Sequence, residues 1–142
     1  METKNLVSFA VQGQTFCLPT ASTLEITRMV KVTDMPSATG KVTGLINYRG
    51  ELLPVVDTGR YFELGETAFD LNSVLIVVEY EQQKLALACD EVLEILEIPA
   101  DKYADYEGLG ADYCQAAAHI HDQILPVLNF KKIVAEVRKA LV

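Results

Sequence analysis

Long apolar stretches are missing from this 142-residue chain. The longest strongly apolar run is Val74-Leu75-Ile76-Val77-Val78, whereas a bilayer-spanning helix needs about 20 such residues. The opening Met1-Glu2-Thr3-Lys4-Asn5 lacks the charged-then-apolar layout of a secretory signal. Cysteine is scarce and odd in number: Cys17, Cys89 and Cys114 are widely spaced and form no Cys-x-x-Cys pair. The expectation is a cytoplasmic chain with three reduced, mostly buried thiols. Basic residues are outnumbered 12 to 20 by acidic ones, for a net charge of −8. An acidic chain repels phosphate backbones, which makes nucleic acid and anionic membrane poor partners. The only glycine pair of note, Gly108-Leu109-Gly110, is not followed by lysine and serine or threonine, so no phosphate-cradling loop is present. No G-x-S-x-G nucleophile elbow occurs either. The acid pairs Asp90-Glu91 and Glu94 with Glu97 are explained as solvated faces.

Half the residues are apolar and 23% are charged, a globular composition for one domain or two very small ones. Apolar spacing makes it mostly strands. Val7, Phe9 and Val11 alternate with small or polar residues, Gly13-Gln14 turns, Thr15 to Leu18 returns, and Pro19 ends that strand. Thr20 to Glu25 reads as a helical turn capped by Thr20. Strands are expected over Ile26 to Thr33, Val42 to Tyr48 and Leu52 to Asp57, the last two joined at Arg49-Gly50-Glu51. Tyr61 to Asn72 reads as a surface connection. Ser73 to Tyr80 and Lys84 to Cys89 form a hairpin, Val92 to Ile98 a strand, and Tyr113 to His121 with Ile124 to Asn129 a last hairpin. The tail alone is helical: Ile133, Val137 and Leu141 recur every four residues with Val134 beside them, opposite Lys131, Lys132, Arg138 and Lys139. It is expected to cover one end of a sheet.

The chain also repeats itself. Gly50-Glu51-Leu52-Leu53-Pro54-Val55-Val56-Asp57 matches Asp122-Gln123-Ile124-Leu125-Pro126-Val127-Leu128-Asn129 at an offset of 72, and Leu24-Glu25-Ile26 matches Leu93-Glu94-Ile95 at an offset of 69. Two copies of a unit of about 70 residues, too small for an ample core alone, are expected to share a core (units 5–71 and 72–142, one domain over 1–142). Pro54 and Pro126 each remove a donor, which predicts edge or bulged strands there.

The best chemical candidate is His119 with His121, which would share one face of a strand. With Cys114 nearby, they make a metal-dependent enzyme or metal-binding protein the competing reading, although no second cluster completes four ligands. A barrel that binds a small ligand, with Tyr103, Tyr106 and Tyr113 as a platform, ranks below both.

The run Gly44-Leu45-Ile46-Asn47-Tyr48-Arg49-Gly50-Glu51-Leu52-Leu53-Pro54-Val55-Val56-Asp57 resembles the signature of the CheW-like family: G-[VI]-x-N-L-R-G, two apolar residues, P-[VI]-[VI]-D. Phe9 to Leu18 resembles its opening hairpin, Cys89 to Ile95 its V-D-x-V-x-x-[IV] segment, and Ile124 to Ile133 its closing strand and helix start. Thr58-Gly59 stands where the family has Leu-Arg, and Asp122-Gln123 where it has a glycine. The resemblance implies a mainly β fold of two small five-stranded barrels of the Src-homology-3 (SH3) type with exchanged strands, a shared core and a C-terminal helix. It implies a non-enzymatic adaptor in bacterial chemotaxis-type signalling, without cofactors, that works in the cytoplasm and is recruited to receptor arrays. The implied partners are the regulatory domain of a CheA-like histidine kinase, bound at a barrel end, and the helical hairpin tip of a chemoreceptor, bound in the groove between barrels. Carried over by position, the receptor groove takes Thr23, Glu25, Gly44, Arg49 and Val74. Arg49 could equally brace its own turn.

Overall fold

The computed structural model describes residues 2–34, 42–65, 69–70, 72–105 and 114–141. The first half holds β1 (Thr3–Val11), β2 (Gln14–Pro19), β3 (Thr23–Arg28), β4 (Thr33–Asp34), β5 (Val42–Tyr48), β6 (Glu51–Asp57) and the one-turn α1 (Thr58–Tyr61). The second holds β7 (Val74–Tyr80), β8 (Gln83–Cys89), β9 (Glu91–Pro99), β10 (Tyr103–Asp105), β11 (Cys114–Ile120), β12 (Gln123–Leu128) and α2 (Phe130–Leu141). Short 3-10 turns, Thr20–Ser22 and Ala100–Lys102, lead into β3 and β10.

Two six-stranded sheets form, in the orders β10-β11-β12-β2-β1-β9 and β3-β7-β8-β6-β5-β4. Each expected five-stranded unit gains one very short strand, β4 or β10. The hairpins are exchanged. β1–β2, from the first half, lies between β9 and β12 of the second. β7–β8, from the second half, lies between β3 and β6 of the first.

This exchange sets up three apolar cores. One barrel encloses Leu6, Cys17, Leu96, Ile98, Ala116, Ala118, Leu125 and Val127. The other encloses Ile46, Leu53, Val55, Leu75, Val77, Ala86 and Ala88. Between them, Phe9, Val11, Phe16 and Leu18 meet Ile76, Val78, Leu85 and Leu87. The swapped hairpins are therefore covered on both faces, and alternate side chains go to different cores. That is why Leu75 to Val78 is continuously apolar and fully buried.

The segment after β6 is not a surface connection. Tyr61 and Phe62 are buried in the central core, and Phe62 stacks on Phe16 with ring centroids 4.0 Å apart. The Asp57 carboxylate starts α1 by accepting from the Arg60 N–H at 3.3 Å. Asn129, at the matching position, accepts from the Lys132 N–H at 3.2 Å and starts α2. Helix α2 buries Ile133, Val134 and Val137 in the central core instead of covering a sheet end. The Leu141 side chain lies outside the described part, as do Tyr106 and Tyr113.

Other expectations need correcting. Thr20 is no cap: it lies inside its 3-10 turn, where its hydroxyl donates to the Asn5 carbonyl at 3.2 Å. The strand expected over Ile26 to Thr33 runs from Thr23 to Arg28, and Thr33–Asp34 is separate. Pro54 and Pro126 occupy interior strands, each one residue before a parallel pairing begins, at Val55↔Ala86 and Val127↔Cys17. The bulges lie on the facing strands, between Val42 and Gly44 and between Cys114 and Ala116.

The four hairpins turn at Gln12-Gly13, Arg49-Gly50, Glu81-Gln82 and His121-Asp122, both residues of each pair having positive φ. This conformation suits the twist of flanking strands but is costly without glycine. The second half has no glycine at either turn, with Gln82 at φ 68° and Asp122 at φ 63°. Gln82→Gly should raise unfolding stability by about 1 kcal/mol, read from the urea midpoint. Val137→Asp should lower it by about 3 kcal/mol or more, because an unpaired charge enters the central core. A melting temperature unchanged in Val137→Asp would mean that α2 is not docked.

Candidate functional site

The five residues expected to form a groove all belong to the second sheet, but they do not converge on one point. Glu25, on edge strand β3, is half-buried and accepts a hydrogen bond from the Tyr48 hydroxyl at 3.1 Å. It also accepts from the Arg49 guanidinium. Arg49 sits at the first position of its turn at φ 50°, and its guanidinium carbon lies 5.3 Å from the centre of the Tyr48 ring. Desolvation, followed by the hydrogen bond to Glu25, pushes the Tyr48 hydroxyl above its usual pKa. The arginine therefore braces the barrel mouth, although 73% of its side chain remains exposed. An ion pair this open adds little stability; its effect is to hold the Glu25 carboxylate in place.

Thr23 starts β3 and donates to the Pro19 carbonyl at 3.3 Å. Gly44 is buried. A Cβ there would lie 2.7 Å from Val32 Cγ1 and even closer to the Thr33 carbonyl oxygen, so glycine is needed to let the β3–β4 connection cross β5. Val74 pairs with Arg28, at the far end of β3 from Thr23, and packs against the central core. Three residues separate Arg28 from Glu25, about 10 Å along a strand. Glu25, Tyr48 and Arg49 thus form one polar cluster, Thr23 flanks it, and Gly44 and Val74 act from beneath.

Sequence reasoning missed two exposed side chains on this strand, Leu24 and Ile26. Leu24 is the extra residue of a bulge, between the pairs Thr23↔Val78 and Glu25↔Val77. Ile26, 41% exposed, lies opposite the fully buried Ile76. Their alternation with polar residues was visible, but alternation does not say which face is covered. Leu52 and Ile124, matched by the 72-residue offset, are more than 60% exposed beside two hairpin tips.

The residues of the metal reading are dispersed. His119 lies on β11, but His121 belongs to the turn at φ 48° and shares no strand face with it. Cys114 begins β11, five residues away, which is about 16 Å along a strand. Among the described residues, no three His, Cys, Asp or Glu side chains gather in a way that could hold a metal ion. The two histidines instead line an open depression of about 450 Å³ with Lys102, Asp122, Gln123 and Ile124. The ligand-barrel reading also finds no room, since packed side chains fill both barrel interiors.

The thiols are inert for a physical reason. Desolvation, aided by the Glu94 charge, pushes Cys17 up to about 12. Desolvation, aided by Asp90 and Glu91, does the same to Cys89. Burial raises half-buried Cys114 as well.

Against known proteins, the family model described as CheW-like domain matches residues 5–138. The chemotaxis protein CheW of Rhizobium meliloti (strain 1021) is 32% identical over 95 residues, covering 67% of this chain and 61% of that protein. Protein FrzA of Myxococcus xanthus is 27% identical over 133 residues, covering 88% of this chain and 81% of FrzA. The chain thus spans about three fifths of the Rhizobium protein and most of FrzA. The crystal structure of the scaffolding protein TtCheW from Thermoanaerobacter tengcongensis superposes with a TM-score of 0.84 at 24% identity, over 90% of each chain.

A thiol-specific disulfide reagent at neutral pH should modify one cysteine, Cys114, in the native protein and all three in denaturant. Because Cys17 and Cys89 hold their protons above the ordinary thiol value of 9.0, they should leave stability independent of pH below about 9. Above it the unfolded chain loses thiol protons first, so stability should fall as pH rises toward 12. Denaturant titrations of wild type and Cys17→Ser across that range check the sign.

Proposed function

The chain belongs to the CheW-like domain family, and from that premise we propose that it is a non-enzymatic adaptor coupling a chemoreceptor to the regulatory domain of a CheA-like histidine kinase. The observation that carries this reading is the exposed Leu24–Ile26 strip on bulged edge strand β3, beside the braced cluster of Glu25, Tyr48 and Arg49. An adaptor needs surfaces in fixed register, and three packed cores provide a rigid frame for them. The helical hairpin tip of the receptor lays its apolar ridge on Leu24 and Ile26, with Thr23 and Glu25 at the polar rim and Arg49 holding Glu25. Gly44 and Val74 shape this surface from within. The kinase takes a barrel end, where Leu52 and Ile124 supply apolar area. Residues 1–142 form one domain built from two copies, 5–71 and 72–142, a reading supported by the reciprocal exchange of opening hairpins. The adaptor works in the cytoplasm at receptor arrays. None of its described helices is long and apolar enough to cross a membrane.

The test is paired titration of the folded chain with a receptor tip fragment and with the kinase regulatory domain. Ile26→Asp changes an exposed side chain, so the fold should persist. It should weaken receptor binding tenfold or more and leave kinase binding unchanged. Glu25→Lys should weaken it less, with a loss that shrinks as salt is added. Wild-type receptor affinity in Ile26→Asp would refute the surface; loss of the kinase instead would mean that the two surfaces are exchanged.

A further inference from the structure

Strand β9 carries the counterpart of the β3 strip, and nothing in the adaptor reading uses it. Its bulge leaves Leu93 as the extra residue, between Val92↔Phe9 and Glu94↔Ser8. Two residues on, Ile95 is 71% exposed, although its partner Val7 is buried. Leu24 and Ile26 hold the same positions at an offset of 69, and both strands are sheet edges. A bulge at an edge re-aims side chains outward, and here it does so twice with the same residue types.

The two strips differ in charge. Around Ile26 stand Thr27, the exposed cations Arg28 and Lys31, and a Glu25 already paired with Arg49. Around Ile95 stand the exposed acids Glu91, Glu94 and Glu97. Lys4, on neighbouring β1, lies opposite Ile98 with its ammonium 5.6 Å from the centre of the Tyr103 ring.

We infer that Leu93, Ile95 and Glu97 form a second docking surface, for an amphipathic helix of a partner protein whose apolar ridge is flanked by lysine or arginine. This rests on the reading that the matching β3 strip receives a helix. The leucine and isoleucine bury against the ridge, and the acids at the rim select its charge. An acid-flanked helix would be repelled, which gives specificity by exclusion. Because β3 and β9 belong to different sheets, the two helices bind independently.

The experiment uses the full chain labelled with nitrogen-15 and two synthetic helical peptides of about five turns with the same leucine ridge. One peptide is flanked by lysines and the other by glutamates. The lysine peptide should shift the amide signals of Leu93 to Glu97 and bind at least tenfold tighter than the glutamate peptide. Ile95→Ser should weaken it about tenfold, whereas Ile26→Asp should not. Glu94→Lys with Glu97→Lys should reverse the preference between peptides. Shifts spread over the whole acidic surface, shifts on β3, or wild-type affinity in Ile95→Ser would overturn the proposal. So would concentration-dependent shifts of the same signals without peptide, which would place a second copy there. If the receptor fragment fails on β3 while the lysine peptide docks on β9, the receptor reading falls and this one stands.

Discussion

Covering the β1–β2 and β7–β8 hairpins on both faces is the constraint on which the other elements depend. Each hairpin sends alternate side chains into a barrel interior and into the core between barrels. The barrel sides take small residues such as Ala86, Ala88, Ala116 and Ala118, because a small barrel leaves little room inside. The central side takes the large ones, Phe9, Phe16, Ile76 and Leu87. Fully burying each is worth roughly 1.5–3 kcal/mol. Neither half of the chain can keep this burial alone, since each lends its opening hairpin to the other.

The same arrangement decides where the surface is available for partners. With the hairpins inside, β3 and β9 become sheet edges. An exposed edge is a hazard unless it is shortened, bulged or charged. Both strands are bulged, and β9 is also acidic. These devices that guard an edge also present a leucine and an isoleucine to solvent, next to polar side chains in fixed positions. Chemistry is correspondingly sparse: two thiols are locked in their protonated form by burial, and the histidines lie apart on a strand and a turn. Thr58, a departure from the family pattern, is buried but satisfied by donating to the Ala88 carbonyl at 2.6 Å.

Much was legible in the residues themselves. Alternation, proline positions and turn residues marked most strands within a residue or two, because period-2 patterning and proline's missing donor act locally. The offsets of 69 and 72 pointed to two related units. The motif around Asn47-Tyr48-Arg49-Gly50 pointed to the CheW-like family. The spacing of Ile133, Val134 and Val137 marked a helix with one buried face, as the structure has it.

What the chain could not declare was which neighbour each face would meet. Leu24 and Ile26 alternate as a core strand would, yet they are exposed, because no second layer covers the edge where β3 lies. Tyr61 and Phe62 look like loop residues, yet they are buried, because the central core leaves a place for them. Pro54 reads as an edge marker but sits inside a sheet, where the parallel partner starts one residue later. Glu25 and Arg49, 24 residues apart, meet only because the barrel brings the β5–β6 turn to the mouth beside β3. Local pattern is set by periodicity and backbone geometry, which travel with the sequence. Exposure and charge pairing are set by packing between distant segments, and only the tertiary structure decides those.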